Sequence, residues 1–178
     1  IDTHSDSWAQ LGQDLLGGDG DQSGKSVSLS ADGTIVAIGA YNHDVGDDTN
    51  EGRTRIYQYN GSTWLPIDND GIVGDTDDRT GISVSLSADG TIVAIGAISH
   101  AVSKGITRIY QYSSNTWTKL GQDLVGDPGD LSGISVSLSA DGTIVSIGAY
   151  NHDASGGSNH GRTRIYQYSS NTWSQLGQ

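Results

Sequence analysis

Several residue types on which folds and active sites often depend are missing from this chain of 178 residues. It contains no cysteine, which excludes a disulfide framework and thiolate metal sites, and no methionine. Glu51 is the only glutamate among 21 acidic residues, and nine lysines and arginines leave a net charge of −12. Because nucleic acids and anionic membranes attract basic patches, we expect neither as a partner. The longest apolar run, about seven residues, is too short for membrane insertion as a helix.

The chain instead contains a threefold internal repeat. The segment 28–40 recurs unchanged at 85–97 and, with Ser146 replacing an alanine, at 137–149. A second block, Thr-Arg-Ile-Tyr-Gln-Tyr, occupies residues 54–59, 107–112 and 163–168, and a tryptophan closes each unit, namely Trp64, Trp117 and Trp173. A period of about 55 residues is typical of propellers, solenoids and arrays.

Each unit contains four β-strand signals. Residues 26–30 alternate with a period of two, as a half-buried strand does, and an Ala-Asp-Gly turn follows them. Residues 34–40 are apolar on both faces, which indicates a strand packed between two layers. The third strand is the β-branched and aromatic block at 54–59, and the hairpin signal Asn60-Gly61 leads to the tryptophan strand. No segment has helical periodicity.

Four antiparallel strands per unit predict an all-β fold of three β-propeller-type blades. The predicted boundaries are 14–64, 65–117 and 118–173. The tryptophan strand occurs a fourth time, because residues 8–13 and 173–178 hold the same phase of the repeat. Residues 1–13 are therefore predicted to form a surplus edge strand equivalent to 173–178.

The pattern Ser-Gly-x-Ser-Val-Ser-Leu-Ser-Ala-Asp-Gly-Thr-Ile-Val-x-Ile-Gly-Ala, followed by a loop and Gly-x-Thr-Arg-Ile-Tyr, resembles the FG-GAP repeat of integrin α-type propellers. The resemblance covers residues 23–173. It implies an extracellular or cell-surface propeller of seven blades for adhesion or recognition, with calcium in some blade loops. Here the connection between the first two strands is only Ala-Asp-Gly, which offers too few oxygens for the calcium site of that family.

Three blades do not close a propeller, which typically needs four to eight. Three explanations remain open: the chain is an excerpt of a longer propeller, two chains form a six-bladed ring, or chains join edge to edge into a filament. An uncapped strand edge is a template for another chain. The residues predicted to mediate self-association are Trp8, Leu11, Trp173 and Leu176.

The loop after the second strand carries the candidate ligand residues. Asp44, Asp47, Asp48 and Glu51 form a candidate weak cation site, calcium being the cation considered, although a solvated acidic loop is the commoner explanation. A histidine recurs in each unit, at His43, His100 and His152, and loop histidines without a metal are again the commoner case. No cofactor is otherwise expected.

The sequence contains no nucleophile elbow, zinc-protease motif or phosphate-binding loop, so we expect that it is not an enzyme. Asn60-Gly61-Ser62 is the only N-glycosylation sequon and would make the chain a glycoprotein, given a secretory route. The expected function is an extracellular structural module that associates with copies of itself through its blade edges. The alternative is an integrin-like adhesion propeller that binds a glycan or an extracellular protein, with or without a cation.

Overall fold

The computed structural model describes residues 7–46, 49–67, 71–153 and 159–177, with only the backbone of Val102. The strands are β1 (Ser26–Leu29), β2 (Ile35–Ala40), β3 (Arg53–Tyr59), β4 (Trp64–Pro66), β5 (Ile72–Val73), β6 (Thr80–Leu86), β7 (Ile92–Ala97), β8 (Ile106–Ser113), β9 (Thr116–Lys119), β10 (Leu124–Val125), β11 (Ser135–Leu138), β12 (Ile144–Ala149), β13 (Arg162–Ser169) and β14 (Thr172–Gln175). One helical turn, α1 (His100–Ser103), interrupts them.

The strands form three antiparallel sheets, one for each repeat. Blade one is ordered β1-β2-β3-β4, blade two places β9 and β6 at its outer positions around β7 and β8, and blade three is ordered β11-β12-β13-β14. This confirms the predicted all-β architecture of three four-stranded blades. The four-residue α1 is too short to produce a helical periodicity in the sequence, and the chain remains all-β. Across the described residues, no helix has the length and apolar character needed to cross a bilayer.

Two short strands that the sequence did not reveal join each blade to the previous one. The connector strand β5 pairs with β3 of blade one, and β10 pairs with β8 of blade two. Two isolated bridges, from Gly52 to Thr80 and from Gly105 to Ser132, extend these pairings. The connector that enters each new blade therefore also completes the edge of the blade behind it.

The side chains of the first strands sort onto two faces because strand residues alternate in direction. In blade one, Ser26 and Ser28 point toward blade two, and Val27 and Leu29 point the other way. We call these two sides the serine face and the valine–leucine face of a blade. The serine face of each blade packs against the valine–leucine face of the next, and we call that contact a joint.

The hydrophobic core lies in the joints rather than inside single sheets. One cluster combines Ala37 and Ile56 of blade one with Val84 and Leu86 of blade two. The second combines Ala94 and Ile109 of blade two with several residues of blade three, namely Val145, Ile147 and Trp173, with Val136 and Leu138 packed beside them. A single blade has no core of its own, so its stability depends on a neighbour.

Hydrogen bonds repeat in register across the two joints. The Ala31 N–H donates to Ala88 O at 2.8 Å, and the Ala88 N–H donates to Ala140 O at the same distance. Serine hydroxyls add a second contact, since Ser26 Oγ donates to Gly81 O at 2.8 Å and Ser83 Oγ donates to Gly133 O at 2.6 Å. The two joints therefore use the same backbone atoms at equivalent positions.

Candidate functional site

The two end blades each present half of a joint with no further blade against it in the described chain. On the valine–leucine face of blade one, Val27 and Leu29 are 63% and 60% exposed. Their equivalents in blade two, Val84 and Leu86, are only 8% and 7% exposed. Blade one therefore exposes a surface that a preceding serine face buries elsewhere in the same molecule.

The serine face of blade three is open in the complementary way. Ile165 is 42% exposed, whereas its equivalents Ile56 and Ile109 are fully buried. Ile144 is also exposed at this face, although Ile92, at the same position in blade two, packs on Gly142 of blade three. The open valine–leucine face of blade one and the open serine face of blade three thus correspond to the two halves of one joint, and they belong to the first and last blades of the chain.

The polar groups of the open faces are complementary as well. Ser85 Oγ accepts the Leu138 N–H at 2.9 Å, just as Ser28 Oγ accepts the Leu86 N–H at 2.9 Å. The corresponding hydroxyl of blade three belongs to Ser137, which is exposed. The matching groups on the open face of blade one are Gly24 O, the Leu29 N–H and Ala31 O, also on exposed residues.

Glycines set how closely two blades approach. A Cβ at Gly39 or Gly96 would overlap the carbonyl oxygen of Gly81 or Gly133 in the next blade. At Gly148, the same position in blade three, a Cβ would meet the hydroxyl of Ser135 in its own sheet and then nothing closer than 3.6 Å. Blade three therefore keeps the glycine that the joint requires, although the residues that the structure describes place no further blade opposite it.

A cleft of about 430 Å³ lies over this open face. It is lined by Ile134, Ser135, Gly148, Ala149, Tyr150, His160, Gly161, Arg162 and Thr163. In blades one and two the equivalent space holds the backbone that runs through Thr80 and Ser132, which bridges Gly52 and Gly105. The cleft thus corresponds to the space that the start of a following blade fills inside the chain.

The four residues predicted to mediate self-association differ in their surroundings. Trp8 is fully exposed and Leu11 is 58% exposed. Leu176 is partly exposed near the other end of the chain, and Trp173 is buried, with its ring centroid 5.1 Å from that of Tyr168. The structure therefore places Trp173 inside blade three, while Trp8, Leu11 and Leu176 are accessible.

An aspartate–histidine–arginine cluster recurs at the rim of every blade, and sequence reasoning missed it. In blade two, Asp78 lies 2.8 Å from His100 Nδ1 and accepts a hydrogen bond from Arg108 at 3.1 Å. Blade one forms the cluster from Asp21, His43 and Arg53, and blade three from Asp130, His152 and Arg162. The arginine of these two blades comes two positions earlier in the repeat than Arg108, because blade two has Ile106 there. The aspartate precedes the histidine by 22 residues in each unit, and this constant spacing is the signal that could have revealed the cluster.

Two of these clusters have the composition of a metal site, but a guanidinium group already bridges their carboxylates. Asp75 and Asp127 add a second carboxylate in blades two and three. Arg108 donates to Asp75 at 2.8 Å as well as to Asp78, and Arg162 donates to both Asp127 and Asp130. A metal ion would have to displace a charge-assisted pair, so the cluster is best described as a structural ion-pair network.

The acidic loop of blade one contains part of the candidate cation site. Asp44 Oδ1 accepts the Asn50 N–H at 2.6 Å, and Glu51 Oε2 accepts the Val45 N–H at 3.1 Å, so both carboxylates hold the loop closed. Glu51 is buried, and its Oε1 has no hydrogen-bond partner. Asp47 and Asp48 lie outside the described residues. Cation binding at this loop stays a prediction.

The predicted sequon lies in the tight turn between β3 and β4. Asn60 Oδ1 accepts the N–H groups of Ser62 and Thr63, both at 2.9 Å, and the residue is exposed. The Asn60-Gly61 hairpin is thus where the sequence predicted it. Glycosylation of Asn60 stays a prediction.

The Ala-Asp-Gly turns give the chain a defined response to acid. Asp89 accepts hydrogen bonds from the Ser87 hydroxyl at 2.6 Å and from the Thr91 N–H at 3.0 Å. These bonds, led by that from Ser87, hold the pKa of Asp89 below its ordinary value of 3.8 despite an opposing contribution from burial. Asp32 and Asp141 accept the same bonds from the equivalent serine and threonine of their own turns, and their pKa values are also lowered.

We therefore expect the free energy of unfolding to fall as the pH drops below about 4. A carboxyl group with a lowered folded-state pKa stabilises the fold above its unfolded-state pKa, and that contribution is lost as the pH falls through the folded-state pKa. Urea unfolding between pH 6 and pH 2 measures the effect. The Asp89→Asn variant should show a shallower decline, and an unchanged pH profile in that variant would contradict the assignment.

No protein-family model matches this sequence, and no curated protein matches it. Solved structures do resemble the fold. A candidate 6-phosphogluconolactonase from Bacteroides uniformis superposes with a TM-score of 0.54 at 14% identity, over 85% of this chain and 39% of that protein. Sqt1 from Saccharomyces cerevisiae superposes with a TM-score of 0.54 at 10% identity, over 89% of this chain and 36% of that protein.

These two proteins have β-propeller-type folds, and the chain spans little more than a third of the length of each. At this level of identity the likeness concerns the fold alone, and a shared fold does not transfer a function. Together with the three antiparallel sheets, it establishes that the chain is built from β-propeller-type blades.

Proposed function

We propose that this chain is a structural module of FG-GAP-like type that self-associates head to tail, outside the cell, by joining blade three of one copy to blade one of the next. The observation that supports the proposal is the match between the open faces and the internal joints. Val27 and Leu29 are exposed where Val84 and Leu86 are buried, and Ile165 is exposed where Ile56 and Ile109 are buried. The partner is therefore a second copy of the chain.

The contact is heterologous, because each copy uses a different face toward each neighbour. Such a contact produces a ring if the rotation closes and a helical filament if it does not. The serine face of blade three supplies Ser135 and Ser137 hydroxyls, and the valine–leucine face of blade one supplies Gly24 O and the Leu29 N–H. The geometry of each bond has a template in the internal joints.

Sedimentation velocity over a range of concentrations tests the proposal. The wild-type chain should form larger species as its concentration rises, and electron microscopy should show rings or filaments. The Leu29→Asp variant should weaken this association by about 100-fold, because the new carboxylate would be buried without a partner.

Leu65→Asp is the matched control for the Leu29 variant. Leu65 is also exposed, but it lies on β4, where the other blades have Thr118 and Ser174, and so it lies outside the joint. This variant should associate as the wild type does. A wild-type chain that stays monomeric at every concentration, or equal effects of the two variants, would refute the proposal.

The second candidate function is adhesion to a glycan or an extracellular protein. It is supported by a polar cleft of about 320 Å³ at the rim of blade three, lined by Asp127, Pro128, Gly129, Asp130, Asn151, His152, Asp153 and Asn159. Saturable binding on a glycan array, abolished by Asn151→Ala in a chain that remains monomeric, would favour this function over self-association.

A further inference from the structure

The joint between blades two and three contains a clasp around a tryptophan, which we call the latch, whereas in the other joint the buried Trp117 indole N–H has no hydrogen-bond partner among the described residues. In the joint between blades two and three, the latch consists of Leu120, Gly121 and Gln122. Leu120 O accepts the Trp173 indole N–H at 2.8 Å, and the Gln122 amide forms two bonds to the backbone of Trp173, at 2.6 and 2.9 Å. Gly121 has a φ of +77°, and a Cβ there would lie 2.7 Å from Trp173 Cδ1.

A second latch near the start of the chain clasps the tryptophan of blade one. Leu11 O accepts the Trp64 indole N–H at 2.9 Å, and Gln13 bonds to the Trp64 backbone at 2.8 and 3.1 Å. Gly12 has the same left-handed conformation as Gly121. This latch repeats the contact seen around Trp173, and we call it the N-terminal latch.

A third latch, at Leu176 and Gly177, holds no tryptophan among the described residues. Leu176 donates its N–H to Ile165 O at 2.7 Å, as Leu120 donates to Ile109 O at 2.7 Å. Gly177 already has a φ of +70°, and a Cβ there would meet nothing within 4 Å. Residues 176 and 177, followed in sequence by Gln178, thus form a C-terminal latch that is preorganised and empty.

The head-to-tail contact determines which tryptophan this empty latch meets. Leu120 follows blade two and clasps the tryptophan of blade three, so a latch that follows blade three clasps the tryptophan of the next blade. In a second copy that residue is Trp64. Both latches require the same indole N–H and the same backbone groups of Trp64, so only one can be bound at a time.

We propose that the C-terminal latch of one copy clasps Trp64 of the next copy and displaces that copy's own N-terminal latch, an inference that rests on the proposed self-association. The C-terminal latch is anchored to β13 through Ile165, whereas the N-terminal latch is preceded by the fully exposed Trp8. An anchored segment loses less conformational freedom on binding than a loosely held one. The N-terminal latch is therefore a competitor that occupies the joint until a neighbour arrives.

Two glycine substitutions should change association in opposite directions. Gly177→Val should weaken it by about tenfold or more, since the side chain would collide with Trp64 of the neighbour and valine disfavours a positive φ. Gly12→Val should strengthen it several-fold, because the same collision would release the competing N-terminal latch. Sedimentation velocity of the full chain measures both. Removal of residues 176–178 should weaken association, as Gly177→Val does. The Gln13→Ala variant should strengthen association, as Gly12→Val does, but to a smaller extent.

The outcomes separate this inference from the proposed function. A wild-type chain that does not associate overturns both. Association that neither glycine variant changes, or that Gly12→Val weakens, overturns the latch exchange and leaves the head-to-tail contact standing. The Trp8→Ala variant supplies a third measurement. Unchanged association agrees with displacement of the N-terminal segment. Weakened association would show that Trp8 itself enters the joint, and it would overturn the exchange of latches.

Discussion

Replacing Gly96 by alanine is expected to lower the free energy of unfolding by about 3 kcal/mol or more, because the added methyl group overpacks a contact between the main chains of two blades. The new Cβ would overlap the carbonyl oxygen of Gly133, and that carbonyl is held by the Ser83 hydroxyl. A backbone group cannot rotate away as a flexible side chain can, so the two blades would have to separate. Urea denaturation monitored by tryptophan fluorescence measures the loss.

Gly148→Ala is the matched control for this substitution. Gly148 has the same place in its sheet, but the described chain puts no blade opposite it, and the only close atom is the rotatable Ser135 hydroxyl. At concentrations where the chain is monomeric, we expect a change below about 1 kcal/mol. Equal losses at Gly96 and Gly148 would show that the cost lies inside the sheet rather than in the joint.

Replacing Asp78 by alanine is expected to cost about 3 kcal/mol, because it leaves Arg108 without its buried counter-charge. The Asp78 side chain is 4% exposed and also lies 2.8 Å from His100 Nδ1. Arg108 is itself largely buried, and burial would lower the pKa of the guanidinium if Asp75, Asp78 and Asp123 did not raise it. Thermal and urea unfolding should both record the loss.

Asp75→Ala provides the comparison, since Asp75 binds the same guanidinium at 2.8 Å from an exposed position. Exposed ion pairs contribute little, because water screens them, so we expect a loss of less than about 1 kcal/mol. If Asp75→Ala and Asp78→Ala lower the free energy of unfolding equally, the burial of Asp78 is not what makes the cluster stabilising.

The strands were predictable because local sequence alone specifies them. The alternation at residues 26–30, the apolar run at 34–40 and the Asn60-Gly61 turn each occur in the structure at the predicted place. Threefold repetition strengthened the prediction, since a chance pattern does not recur three times. The fold class and the strand order of each blade followed from these elements.

The joints and the rim clusters were not predictable in the same way, because they depend on contacts between distant residues. Arg108 meets Asp78 across 30 positions of sequence, and β5 and β10 are only two residues long. A two-residue strand forms because its partner is already in place, and no local periodicity marks it. Trp8 and Trp173 are alike in sequence, yet one is exposed and the other buried, since Trp173 packs on Tyr168 and against blade two, whereas residues 7–13 form no strand.

The joint combines its hydrophobic core with hydrogen bonds from main-chain atoms and serine hydroxyls. The last residues of the loop between the second and third strands also take part, since Asn50 O and Lys104 O accept the N–H groups of Arg79 and Ser132. The first residues of that loop differ between blades. Tyr41-Asn42-His43 in blade one corresponds to Ile98-Ser99-His100 in blade two, and both blades form a joint with the same hydrogen bonds. These first loop residues at the rim can therefore change their chemistry without altering how blades attach. Copies with different rims would remain interchangeable as building blocks, so that a mixed population could display several surfaces on one shared scaffold.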